Sequence, residues 1–319
     1  MQFLIQGAGA LGTILAAHLQ EAGHDVTLLV RDARARQLAS VGLVVTGLRE
    51  LRTRCAVVTD PTQLRSAECF ITTVKTYATE TALAPLRHLQ VAAALSVQNG
   101  VLKNESLARA FGSAAVLGAM ANFSGELKPD GSVLFTRNVC LHLGEPSGAM
   151  TERATGLAGA IHQAGVNAEA VDNIATREWS KFVGWLGFMA MSVLTRRLSS
   201  DFLQDRDTAL IMARIVREAG ALARAHGIEL VDVASLPAAT LCRQSEAEAQ
   251  ATVQQVGAGY SGGHKVSALQ DVEAGRPLEV EETLGFAVAR GRELGLAMPT
   301  LETCYRVISS INRGLIAGT

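Results

Sequence analysis

Apolar residues fall in short unbroken runs through the first half of the chain and at helical three- and four-residue steps through the second. Phe3-Leu4-Ile5-Gln6, Asp25-Val26-Thr27-Leu28-Leu29-Val30, Cys69-Phe70-Ile71-Thr72-Thr73-Val74, Ala92-Ala93-Ala94-Leu95-Ser96-Val97 and Ala115-Val116-Leu117-Gly118 read as strands. Helical patterns separate them: one runs through Leu15, Leu19 and Ala22, and others are predicted near 76–88 and 103–111. Such alternation builds a mostly parallel sheet with helices on both faces. Pro129-Asp130-Gly131 is a turn between extended segments, with Val133-Leu134-Phe135 and Val139-Cys140-Leu141-His142-Leu143 forming an antiparallel addition. A helix over 150–164 and the short strand Asn167-Ala168-Glu169-Ala170 close this half.

After Asp172, a residue suited to cap a helix, the strand signal stops. Helices are predicted over 173–195, 202–226 ending at Gly227, 235–255 opening at Ser235 and Pro237, 264–274 ending at Gly275, 280–294, and from Pro299 to about 315. The expected fold is α/β plus all-α: a Rossmann-type, doubly wound sheet over 1–172 and a helical domain over 173–319. No Pro- or Ser-rich linker separates the halves, so a tight junction is expected, with the active site in the cleft outside the carboxyl ends of the strands.

Composition narrows the function. A chain of 319 residues, 48% hydrophobic with formal net charge −1, can bury two cores and has no charge surplus for nucleic acid or a membrane surface. Aromatic content of 4% leaves little for base stacking. The longest apolar stretch, Phe182 to Leu194, is shorter than the roughly 20 residues a membrane span needs. The chain opens on a strand with no basic leader, so no secretory signal is expected. Five dispersed cysteines suggest neither a disulfide framework nor a thiolate metal site, which fits a reduced, cytoplasmic setting. Neither H-x-x-x-H nor H-E-x-x-H occurs, and no metal is expected.

Chemistry enters at the first turn, where the strand runs into Gly7-Ala8-Gly9-Ala10-Leu11-Gly12 and then a helix. In a dinucleotide site one such glycine makes the turn, one lets the backbone approach a pyrophosphate, and one packs helix on strand. The second strand completes the βαβ unit and ends at Arg31, where NAD-preferring domains commonly place an acid. A guanidinium there favours NADP(H), whose 2′-phosphate it can hydrogen-bond; the alternative is that Asp32 binds the ribose. Ketone reduction also needs a proton donor. Lys181, between Trp179 and Phe182 in the most apolar helical stretch, is the candidate, because partial burial lowers an ammonium pKa; the bland alternative is a pair with Glu178.

Taken in order, the Gly7–Gly12 turn, Arg31, Lys75 after a strand, Gln98-Asn99-Gly100, Trp179-Ser180-Lys181 and Ser267-Ala268-Leu269-Gln270-Asp271, leading to Gly275-Arg276-Pro277-Leu278-Glu279-Val280-Glu281, resemble the ketopantoate reductases over nearly the whole chain. The resemblance implies that Lys181 is the general acid, that Asn99 contacts the nicotinamide side and the substrate, and that Lys75 lies on the cofactor side. It further implies that Ser267 binds the substrate carboxylate and that Glu279 hydrogen-bonds the cofactor. NADP(H) with a small-molecule 2-oxo acid, by default 2-dehydropantoate going to pantoate, follows from the same resemblance; the helical domain could support a homodimer. This chain departs from the family where asparagines are expected four and eight residues after the lysine, holding Trp185 and Met189, and again at Leu284 before Gly285. Those replacements favour a more apolar 2-oxo acid, or a non-catalytic NADP(H) sensor, as alternatives.

Overall fold

The computed structural model describes residues 1–260 and 264–318. In the first half β1 (Gln2–Gln6), α1 (Ala10–Glu21), β2 (Asp25–Leu29), α2 (Asp32–Val41), β3 (Leu43–Gly47), β4 (Leu51–Thr53), β5 (Ala56–Val58), β6 (Ser66–Thr72), α3 (Thr79–Leu83) and β7 (Gln90–Ser96) follow in order. They continue with α4 (Lys103–Phe111), β8 (Gly118–Leu127), β9 (Val133–Gly144), α5 (Glu152–Gln163) and β10 (Ala168–Ala170). Five strands make a parallel sheet in the order β5-β2-β1-β6-β7. Its pleat sends Phe3, Ile5, Cys69 and Ile71 into one apolar cluster and Leu4, Phe70 and Ala94 into another, the second covered by Leu83 and Leu107 from α3 and α4. Burial on both faces is why these strands read as unbroken apolar runs.

A second, mixed sheet in the order β10-β9-β3-β4, with β8 also on β9, lies across α1 from the first. The sequence pattern anticipates β9 and β10 in this sheet but not β3 or β4. Helix α1 packs against strands of both sheets, and Gly12 to Leu19 are all buried. A helix covered on two sides has no polar face to keep.

Three expectations in this half are corrected. No strand forms over 115–117: Ser113–Ala115 is a short 3-10 turn, Val116 makes only an isolated bridge to Ala94, and the next strand, β8, begins only at Gly118. The antiparallel addition is a hairpin of β8 with one continuous β9, turned at Lys128–Ser132, instead of two short segments after the turn. The predicted helix 76–88 is a 3-10 turn, the five-residue α3 and a second 3-10 turn containing Pro85, whose missing N–H interrupts α-helical pairing.

Contacts divide the chain into two units, Met1–Ala175 and from Thr176 onward. The second begins within α6 (Ile174–Thr195) and continues with α7 (Ser199–Gln204), α8 (Arg206–Ala225), α9 (Ala238–Arg243), α10 (Glu246–Ala258), α11 (Ser267–Glu273), α12 (Phe286–Glu293) and α13 (Pro299–Ala317). Two long predicted helices are each split by a cap. Asp205 accepts from the backbone N–H groups of Asp207 and Thr208, both at 3.1 Å, and so ends α7 and starts α8. Ser245 and Glu248 form a reciprocal capping box that separates α10 from α9. The predicted helix 280–294 opens with one π turn, Glu281–Gly285, before α12. Packing is close where glycines meet side chains: a Cβ on Gly187 would lie 2.9 Å from Met212 Cγ, joining α6 to α8. Among the described residues no helix is long and apolar enough to cross a membrane.

Candidate active site

The turn after β1 shows what each glycine does. Gly7 has φ +94°, a left-handed conformation that costs a side chain energy, so it makes the sharp exit from the strand. A Cβ on Gly12 would run into the Gly7 carbonyl oxygen and the Thr73 hydroxyl, so helix and strand meet only with hydrogen there. Gly9 differs from both. It is exposed, its φ is −71°, and a Cβ on it would meet nothing within 4 Å. It is also the N-cap of α1 and supplies no side-chain cap. An open approach to unshielded first-turn N–H groups suits a phosphate, which the helix dipole also favours.

The turn is braced from two directions. Thr73 donates its hydroxyl to the carbonyls of Gly7 (3.0 Å) and Gln6 (3.2 Å). The half-buried Arg34, on the first turn of α2, sends Nε to the Ala8 carbonyl (2.9 Å), one terminal nitrogen to Thr13 Oγ1 (3.1 Å), and the other to the Gly131 carbonyl (3.1 Å) and to Gln37. Burial lowers the guanidinium pKa from its usual value. Arg31, three residues earlier, is exposed and is the N-cap of α2 with extended backbone. The two arginines therefore divide the labour, one tying the turn down and one left outward at the end of β2.

Lys75 and Asn99 sit on the loops after β6 and β7, both half-buried. A buried polar network orders these loops. Gln98 donates to the Val74 carbonyl (2.7 Å) and Thr79 Oγ1 (2.8 Å) and accepts from Ser96 Oγ (2.8 Å), while Thr72 donates to Gln6 Oε1 (3.0 Å). Buried Lys103 donates to the carbonyls of Ala119 (2.6 Å) and Gln98 (3.3 Å), fixing the far side of the Gln98-Asn99-Gly100 loop. Sequence reading missed Arg34, Gln98's cross-links and Lys103. Only the dense arginines of Arg31-Asp32-Ala33-Arg34 hint at the first, because its partners are distant in the chain.

In the second unit Lys181 is half-buried and lies two turns into α6. Its neighbours Trp179 and Phe182 join His226 and Phe286 in an aromatic cluster, with Trp179 centred 4.9 Å from His226 and 5.8 Å from Phe182. Trp185 and Met189 follow Lys181 at four-residue steps and share its helical face. Met189 is fully buried, and the Thr283 hydroxyl lies 3.6 Å from its sulfur while donating to the Glu279 carbonyl. The π turn thus brings buried Thr283 against α6 at Met189, about two turns along from the lysine. Leu284 is wholly buried. Ser267 is the first residue of α11, and Val266, not the serine, is its N-cap. Buried Asp271 holds Arg276 through Nε at 2.9 Å, shaping the segment that leads to Glu279.

A family profile described as ketopantoate reductase PanE/ApbA matches residues 3–148, and one described as its C terminal matches residues 173–312. The chain belongs to the ketopantoate reductase family. As a member of that family it is an NADP-dependent oxidoreductase. A 2-dehydropantoate 2-reductase of Archaeoglobus fulgidus is 29% identical over 315 residues, covering 98% of each chain. Among solved structures, 2-dehydropantoate 2-reductase of Geobacter metallireducens aligns with TM-score 0.80 at 25% identity, over 97% of this chain and 99% of that one. D-mandelate dehydrogenase, solved with NADH and anilino(oxo)acetate, aligns with TM-score 0.86 over 99% of each chain. At 19% identity that last likeness shows the fold alone.

Proposed function

We propose that this ketopantoate reductase family member reduces 2-dehydropantoate to pantoate with NADPH. The observation that carries the reading is the Gly7–Gly12 turn, with its open approach at Gly9 and the uncapped α1 N-terminus behind it. Those N–H groups would hold the pyrophosphate, and Arg31 would pair with the 2′-phosphate that distinguishes NADPH from NADH. Lys75, Asn99 and Glu279 complete the cofactor contacts, with Asn99 also touching the substrate. Bound NADPH supplies a hydride to the substrate carbonyl carbon.

The protein's own part is the proton. As the carbonyl carbon gains hydride, negative charge grows on its oxygen, and Lys181 Nζ donates the proton that turns it into the hydroxyl. Lys181 is half-buried, on the helix whose Trp179 and Phe182 enter the aromatic cluster. Ser267 hydrogen-bonds the carboxylate, which fixes the acid end while the carbonyl faces the lysine. A more apolar 2-oxo acid is the second reading. Trp185 and Met189, on the Lys181 face, offer an indole and a thioether where two carboxamides would bind substrate oxygens.

Following NADPH absorbance across a panel of 2-oxo acids tests both. Turnover should be highest with 2-dehydropantoate, or with a bulkier apolar acid if the second reading holds, and Trp185→Asn should shift preference toward the polar substrate. Lys181→Ala should bind NADPH normally yet turn over on the order of 100-fold more slowly or worse. Unchanged turnover in that variant rejects the proton-donor role, and no NADPH consumption with any acid would instead indicate a sensor.

A further inference from the structure

We propose that β9 and β10 form a site for a divalent ion of the zinc class, bound by the Cys140 thiolate, the His142 imidazole and the Glu169 carboxylate. Residues 140 and 142 are two apart on β9 and share one face of the strand, while Leu141 and Leu143 turn the other way into the apolar core. The parallel strand β10 places Glu169 in register with His142. The three donor atoms, one sulfur, one ring nitrogen and one carboxylate oxygen, consequently all lie within 4.8 Å of one another. His142 Nε2 and Glu169 Oε2 are 3.8 Å apart.

Donors bound at about 2.0–2.3 Å around one tetrahedral ion sit roughly 3.4–3.6 Å from each other, so closing the site needs only a small side-chain movement. Glu169 is exposed and can make it, whereas His142 is buried and gives the ion a fixed ligand. A mixed sulfur, nitrogen and oxygen set suits a borderline ion better than calcium or magnesium, which prefer all-oxygen shells. Three protein ligands leave a fourth position for water. Binding displaces the Cys140 thiol proton to solvent and ties the three-residue edge strand β10 to β9, so the ion should stabilise the first unit. None of the residues assigned to cofactor or substrate takes part. The scattered cysteines conceal this grouping because Glu169, 27 residues after His142 in the chain, joins Cys140 and His142 only through strand pairing.

The test is a Co²⁺ titration of the untagged, intact protein without nucleotide, followed by Zn²⁺ competition and thermal melting. One equivalent of Co²⁺ should give a thiolate-to-metal charge-transfer band that Zn²⁺ abolishes, and Zn²⁺ should raise the melting temperature. Cys140→Ser should lose the band, Glu169→Gln should weaken Co²⁺ binding on the order of 10-fold or more, and Cys55→Ser and Cys242→Ser should change neither. NADPH binding by each variant confirms folding. Absence of the band in the unmodified protein, its survival in Cys140→Ser, or unaltered affinity in Glu169→Gln overturns the site.

Discussion

Arg31 and Arg34 are close in sequence but are predicted to fail in different ways when each is replaced by methionine, which keeps the length of the stem and removes the guanidinium. Arg34 makes three bonds to groups outside its own helix: the Ala8 carbonyl, Thr13 and the Gly131 carbonyl. At about 1 kcal/mol net for each, partly recovered by water at the released carbonyls, Arg34→Met should cost the first unit about 1–3 kcal/mol. For a unit of this size that is a fall in melting temperature of roughly 2–10 °C. Because the loosened turn must be reordered for either nucleotide, affinity for NADPH and NADH should drop together, about 5-fold or more. Arg31 is exposed, so Arg31→Met should leave melting within about 0.5 kcal/mol of the parent. Removing a charge-assisted bond worth about 1.5–3 kcal/mol should nonetheless weaken NADPH roughly 10- to 100-fold while sparing NADH. Fluorescence titration of both nucleotides against both variants, beside thermal melts, reads all four numbers. If Arg34→Met weakens NADPH alone, that side chain reaches the 2′-phosphate and the bracing argument is wrong; if it alters neither melting nor affinity, the bonds carry nothing.

Two more perturbations probe the first unit. Gly12→Ala should destabilise it by on the order of 1–3 kcal/mol, since the new Cβ meets the Gly7 carbonyl, whereas Gly9→Ala should melt like the parent and still lose NADPH affinity. Equal melting temperatures for the two variants would contradict the division of roles within the turn. Arg153 clamps Glu145 through Nε (2.7 Å) and a terminal nitrogen (2.6 Å), holding the carboxyl below its usual pKa. A depressed folded-state pKa gives stability that is fully present above the unfolded value of about 4.3 and is lost as pH falls through the folded one. Chemical denaturation from pH 6 downward should accordingly show a stability decline below about pH 4.5 that Glu145→Gln makes shallower, and parallel pH profiles would refute the assignment.

What could be read from the chain is what a few neighbouring residues decide. The Gly7–Gly12 turn is legible because its three constraints, a left-handed φ, a free approach and a tight helix contact, all fall within six residues. The starts of α8 and α10 are not legible even though Asp205 and the Ser245/Glu248 box are local caps, because strong helical periodicity on either side masks a break of one or two residues. The second sheet is a different case. Leu51–Thr53 is a three-residue strand that exists only because the backbone of β3 lies alongside, and β8 begins with small residues whose pairing to β9 no pattern announces. Arg34 and Lys103 follow the same logic, since each serves a carbonyl well away in sequence, at residue 8 or 131 for the first and at residue 119 for the second. Side chains that order a site from a distance look, in sequence, like ordinary surface charges. The candidate ligands are therefore legible one by one, while the scaffold that aims them is not, and the variants most able to separate binding from bracing are those at residues whose sequence context gave them no role.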